Sequence, residues 1–151
     1  MSTYSFDIFA QSGVEPRGDA VVFGISSGLL STTAVADFEE WMISNRGIDG
    51  SYELLLFDGT RAEAVAVLER AGYHDDGDGE SMLRYVILAS LDSTGQQLLL
   101  DIESVYSDFD YPQDMEPFVY YMPSEGVHNT PEHLAEIFKN FMDSEKNRLG
   151  L

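Results

Sequence analysis

Apolar and polar residues alternate over residues 4–10, with β-prone aromatics among them, and predict a first strand. Gly13, Pro16 and Gly18 then mark residues 11–19 as a turn or loop. The short apolar run over residues 20–25 suits a buried strand, followed by a loop over 26–30. From Ser31 or Thr32, either of which can cap a helix, the period changes. Val35, Phe38, Trp41 and Met42 recur at helical spacing to about Asn45, as core positions, with Glu39 and Glu40 turned away. Gly47 and Gly50 end this helix. Residues 52–57 predict a strand. Asp58-Gly59-Thr60 caps a second helix over 61–71, where Ala64, Val65 and Leu68 share a face and Gly72 stops the run.

Residues 74–80, His-Asp-Asp-Gly-Asp-Gly-Glu, form a polar loop. Two further strands are expected over 82–91 and 97–106, joined by a hairpin-like turn at Asp92-Ser93-Thr94-Gly95. Residues 118–122 predict a last strand. Thr130-Pro131-Glu132 opens a terminal helix with proline in its first turn, and Leu134, Ile137, Phe138 and Phe141 give it an apolar face. The pattern predicts one α+β domain over residues 1–151. Its sheet is mostly antiparallel, with about three helices packed on it.

Composition narrows the function more than the fold. The chain has 151 residues, 44% of them apolar and 12% aromatic, which is the profile of a folded protein rather than an acidic tail. Its formal net charge is −19, from 27 acidic and 8 basic residues. Nucleic-acid binding relies on Lys and Arg neutralising phosphates, so DNA and RNA are excluded as ligands. Cysteine is absent, which removes disulfides and thiolate metal sites. The N-terminal residues lack the basic and apolar regions of a signal peptide, and no apolar run reaches membrane-spanning length. A cytoplasmic protein with no membrane association is the expectation, with its oligomeric state left open.

Catalytic and metal motifs are weak. Gly24-Ile25-Ser26-Ser27-Gly28 matches the G-x-S-x-G pattern that exposes a nucleophilic serine, with His128 or His133 as candidate base; a plain Gly/Ser loop is the simpler reading. Asp75, Asp76, Asp78 and Glu80 resemble a calcium loop. Counted from Asp76, however, the sixth and twelfth positions hold Ser81 and Ile87 instead of the required Gly and Glu. His74, His128 and His133 are not spaced for zinc. Phosphate-binding glycine loops are missing, and with 27 acids a pair of neighbouring carboxylates carries little meaning. Neither a cofactor nor a metal is expected.

The acidic residues are unevenly placed. No Lys or Arg occurs between Arg84 and Lys139. Inside that void, residues 101–116 carry six carboxylates, Asp101, Glu103, Asp108, Asp110, Asp114 and Glu116, interleaved with Tyr106, Phe109 and Tyr111. Aromatic anchors within a charged rim suit a protein interface, and such a field steers a basic partner. The expected partner-binding residues are those six acids with Phe109 and Tyr111. On the following strand, one of Tyr120 and Tyr121 should face out, and Tyr121 completes the set.

Residues 83–143 resemble the SUKH superfamily of bacterial toxin-immunity proteins. The likeness lies in the run from Ala89 to Gly95 with Leu98-Leu99-Leu100-Asp101, in Phe118-Val119-Tyr120-Tyr121, and in the closing helix with Leu134-Ala135, Phe138 and Phe141. The Leu-Pro pair of that superfamily's first half is not present. The resemblance implies a non-enzymatic immunity or inhibitor protein that neutralises a basic cognate toxin, for instance a nuclease. The alternatives are a small serine hydrolase using Ser26, a generic acidic protein of a salt-adapted organism, and a nucleic-acid mimic.

Overall fold

The computed structural model describes residues 2–119 and 130–151. Helices dominate them: α1 (Ile8–Ser12), α2 (Gly18–Ser27), α3 (Ala34–Arg46), α4 (Tyr52–Leu55), α5 (Arg61–Arg70), α6 (Gly79–Ala89), α7 (Gly95–Asp108), a 3₁₀ helix (Gln113–Phe118) and α8 (Pro131–Arg148). β-Pairing among the described residues is limited to one isolated parallel bridge between Tyr4 and Leu30. This overturns the expected α+β architecture. Among the described residues there is no antiparallel sheet for helices to pack on, and the regular structure is helical.

The expected strands fail for identifiable reasons. The run over residues 20–25 lies inside α2, where Ala20, Val21, Val22, Gly24 and Ile25 are all buried. Residues 82–89 belong to α6, which buries Met82, Leu83, Arg84, Val86, Ile87 and Leu88. It packs against α1, α2, α7 and α8 and is the central helix of the molecule. Runs of consecutive buried apolar residues, Ala20 to Val22 in α2 and Val86 to Leu88 in α6, look like those of a buried strand. In α7 the helical repeat is present, since Leu99, Ile102, Val105 and Tyr106 are its buried positions. The consecutive Leu98, Leu99 and Leu100 mask that repeat, although Leu100 is exposed. Residues 52–57 hold only the single turn of α4. Residues 4–10 supply the bridge at Tyr4 and then begin α1. Phe118 ends the 3₁₀ helix, and 120–122 lie outside the described residues.

Where local capping chemistry was strong, the sequence reading matches the structure. Helix α3 begins close to its expected start, but neither Ser31 nor Thr32 caps it: the N-cap is Thr33, with no side-chain cap hydrogen bond. Helix α5 opens on a full capping box: Thr60 Oγ1 accepts from the Glu63 backbone N–H, and the Glu63 carboxylate accepts from Thr60 N–H, both at 3.2 Å. Helix α8 opens with Pro131 behind Thr130, whose hydroxyl accepts from His133 N–H at 3.2 Å.

The core runs through the whole set of helices. Phe38, Ile25, Leu68, Met82, Leu83, Ile87 and Ile102 are among its fully buried side chains. Phe118 joins α8 to it, with its ring 5.4 Å from Phe138 and 4.9 Å from Phe141. Gly24 is required by close approach: a Cβ there would lie 2.5 Å from Leu30 Cδ1. The Leu30 N–H donates to Gly24 C=O at 2.8 Å, so the chain returns tightly over the end of α2. No helix among the described residues is long and apolar enough to cross a membrane.

The segments behind the SUKH likeness take different shapes here. Residues 89–101 end α6 and open α7, Phe118 sits in the 3₁₀ helix, and Leu134, Phe138 and Phe141 lie on α8 as expected.

Candidate functional site

The expected acidic segment begins on α7, and much of its charge is engaged inside the molecule. Asp101 accepts hydrogen bonds from Ser93 Oγ and, at 2.9 Å, from Gln97 Nε2. Asp108 accepts from the Ser2 backbone N–H at 2.9 Å and from the Tyr4 hydroxyl at 2.6 Å, fastening the N-terminal segment to α7. Burial raises the Tyr4 phenol well above its ordinary value, and the hydrogen bond to and charge of Asp108 add to this. Asp114 takes a bidentate pair from Arg84, Nη1 and Nη2 each at 2.8 Å.

Arg84 is only 8% exposed, and it is the hub of this region. Its Nη2 also reaches the buried Glu145 of α8 at 2.7 Å, and its guanidinium lies 5.2 Å from the Phe141 ring centroid. Arg148 closes the network on Glu145 at 2.6 Å. One arginine therefore ties α6 to the 3₁₀ helix and to α8.

The aromatic residues of the segment divide. Phe109 is buried and stacks on Phe23 with centroids 6.5 Å apart, so it anchors the core rather than a partner. Tyr111 is 56% exposed, with its ring edge-on to Tyr106 at 5.3 Å. Asp110 and Tyr111 both have positive φ, 61° and 57°, a left-handed turn that ends α7 just before Pro112 and is uncommon for such residues. The Glu103, Asp110 and Glu116 side chains make no hydrogen bond or ion pair among the described residues. Tyr121 lies outside the described residues, as does His128.

The catalytic and metal motifs lose their context. Ser26 sits in the last turn of α2, with Gly28 as its left-handed C-cap, whereas the nucleophile pattern needs a strand-to-helix turn. The Asp75 carboxylate accepts from Gly77 and Gly79 N–H, both at 3.2 Å, and so organises the turn before α6. Among the described residues no group of three or more His, Asp or Glu side chains could hold a metal ion.

A second acidic surface was missed by sequence reasoning. An open groove of about 560 Å³ lies between the N-terminal segment with α1 and the outer face of α3. Phe6, Asp7 and Phe9 line one wall; Asp37, Glu40 and Trp41 line the other; Glu15 lies at the loop that follows α1. On α3, positions 37, 40, 41 and 44 follow the i, i+3, i+4, i+7 spacing of one helical face. The Asp7, Asp37 and Glu40 side chains have neither an ion pair nor a hydrogen bond among the described residues. The Asp37 carboxyl is held above its ordinary value, chiefly by burial and then by the charges of Glu40 and Asp7. At the end of the groove, Arg46 pairs with Glu15 while its guanidinium sits over Trp41, 5.7 Å from the ring centroid.

The facing of the helix differs from expectation at two positions. Trp41 is half-buried and turned to the groove instead of being enclosed in the core. Glu39 does not face away with Glu40; it is 3% exposed, on the core side with Val35 and Phe38. It makes no hydrogen bond or ion pair among the described residues. The Tyr73 phenol is raised by its own burial and then by the Glu39 charge. The helix of the groove's α3 wall is legible in the sequence, but its spacing puts Trp41 in the core and Glu40 on the opposite side, and the expectation of a strand over residues 4–10 hides the other wall.

Searches of curated proteins and of solved structures each found no match. A family model described as an uncharacterized protein conserved in bacteria matches residues 6–146. The match covers nearly the whole helical fold, and the chain belongs to that bacterial family, DUF2247.

Proposed function

We propose that this is a non-enzymatic binding protein that neutralises a basic protein partner, in the manner of an immunity protein acting in the cytoplasm on a cognate toxin. The observation that carries the reading is the way the charges are paired. Five of the eight basic side chains are paired with the protein's own acids: Arg17 with Asp19, Arg46 with Glu15, Arg70 with Glu53, Arg84 with Asp114 and Glu145, and Arg148 with Glu145. These pairs engage five carboxylates of the 27 in the chain. The surface is left with a large excess of unopposed negative charge, which favours rapid association with a positively charged protein and disfavours phosphate ligands. The immunity role itself comes from the SUKH likeness, of which the closing helix is present and, among the described residues, the strands are not.

The test is co-expression with the product of the adjacent gene. The proposal expects a stable complex whose formation slows steeply as salt is raised, and relief of any toxicity of the partner. A neighbouring product that is itself acidic, or one that never co-purifies at low ionic strength, would contradict it.

A further inference from the structure

The groove between α1 and α3 differs from the rest of the acidic surface because it already holds a guanidinium. Arg46 reaches from the end of α3 across Trp41 to Glu15, and both of those residues line the groove. An aromatic face beside a carboxylate is the arrangement that recognises arginine: the planar, weakly hydrated cation stacks on the ring while its N–H groups meet the acid. Farther along the same groove, Asp7, Asp37 and Glu40 repeat the acidic half without a cation of their own. Phe6 and Phe9 supply apolar wall there, with ring centroids 5.1 Å apart. Seating a positive charge among the three carboxylates relieves their mutual repulsion, which none of the described residues does.

The volume suits the same occupant. About 560 Å³ is within the range of small-ligand sites and takes an arginine side chain with part of its flanking backbone. In segment 101–116, Asp101, Asp108 and Asp114 are already hydrogen-bonded.

We propose that this groove receives an arginine side chain of the basic partner, its guanidinium held by Asp7, Asp37 and Glu40 and its stem lying along Phe6 and Trp41. The proposal rests on the reading that the partner is a basic protein. Arg46 is then an internal competitor at the Trp41 end of the groove.

Trp41 is the only tryptophan in the chain, so its emission reports on the groove directly. The probe is the capped peptide acetyl-Gly-Arg-Arg-Gly-amide, titrated at low ionic strength, with its citrulline counterpart as the uncharged isostere. Binding is followed both by Trp41 emission and by calorimetry. The arginine peptide should change the emission and the citrulline peptide should not. The double variant D37N/E40Q should weaken binding about five- to tenfold. E103Q/D110N should leave it unchanged, and R46Q should tighten it about two- to fivefold by removing the competitor. If the peptide binds by calorimetry, leaves Trp41 emission unchanged and binds D37N/E40Q equally well, the groove is not the site, and the basic-partner reading still stands. Absence of binding by both readouts overturns the groove proposal outright. Failure of co-purification with the neighbouring gene product, measured separately, is what would remove the reading beneath it.

Discussion

Two parts of this molecule combine carboxylates with aromatic rings, and they use them in different ways. In residues 101–116 half of the acids point to donors within the chain. Asp101 holds Ser93 and Gln97, Asp108 holds Ser2 and Tyr4, and Asp114 holds Arg84. Of the two aromatics expected to anchor a partner, Phe109 is buried against Phe23 and Tyr111 is exposed. In the α1–α3 groove, Asp7, Asp37 and Glu40 meet no donor and face one another, with Trp41 and Phe6 beside them. Glu103, Asp110 and Glu116 of the first region are as unpaired as the three groove acids; what sets the second region apart is that its three line one groove beside Phe6 and Trp41. Density of like charge along a chain says little about availability; the pairing of each group in three dimensions decides it.

The largest effect should come from breaking the first region. Arg84→Met leaves Glu145 buried with only Arg148 to offset it and frees Asp114 from α6. Removing one partner of a buried ion pair costs about 3–5 kcal/mol. The urea midpoint should fall accordingly, while the arginine peptide should still bind the remaining folded protein. A variant as stable as the parent would mean that the Arg84 network is not structural.

Glu39 sharpens the contrast from another side. It is as unpartnered as the groove acids, but it is enclosed on the core face of α3. Lack of a partner there destabilises the fold without creating a site. Glu39→Met should therefore stabilise the protein by about 1–3 kcal/mol in urea unfolding and leave peptide affinity unchanged. A loss of peptide affinity would show that the two faces of α3 are not independent.

Tyr4→Phe removes a hydrogen bond to a charged acceptor and should cost about 1–2 kcal/mol, measured by the same unfolding curves. Faster amide exchange at Ser2 and over α1 would accompany it, because Asp108 holds that end of the chain to α7.

The smallest effect follows from the raised Asp37 carboxyl. When ionised, Asp37 carries in the folded state a burial cost and the repulsion of Glu40 and Asp7 that it escapes when unfolded. The folded state binds its proton more tightly. The penalty is full at neutral pH, shrinks as pH falls through the raised native value, and is gone below the ordinary 3.8. Asp37→Asn should therefore raise the urea midpoint slightly at neutral pH and make no difference in acid below that value. An equal gain at both would place the cause outside this titration.

What could be read from the sequence was decided by local chemistry. Helix α3 announces itself through the spacing of Val35, Phe38 and Met42, and α5 and α8 through the Thr60–Glu63 capping box and Thr130-Pro131. Helices α2 and α6 do not, because runs of consecutive residues such as Ala20 to Val22 and Val86 to Leu88 are buried together. Such runs blur the helical period, and a buried helix and a buried strand then look alike. α7 was misread for a different reason: Leu98 to Leu100 hide a spacing that Leu99, Ile102, Val105 and Tyr106 otherwise display. The six acids of residues 101–116 were visible as a cluster, but Ser2, Tyr4 and Arg84, the partners of Asp108 and Asp114, are far away in sequence. The groove depends on residues 6–9 meeting the face of α3, about thirty positions later, and no local signal encodes that meeting.

The most direct test of the comparison is a two-dimensional amide NMR spectrum recorded during titration with the arginine peptide. The account predicts shifts confined to Phe6, Asp7, Asp37, Glu40, Trp41 and the Trp41 indole, with Glu103, Asp110 and Glu116 unmoved. Shifts centred on residues 110–116 with a silent Trp41 indole would contradict it and return the binding surface to the acidic segment.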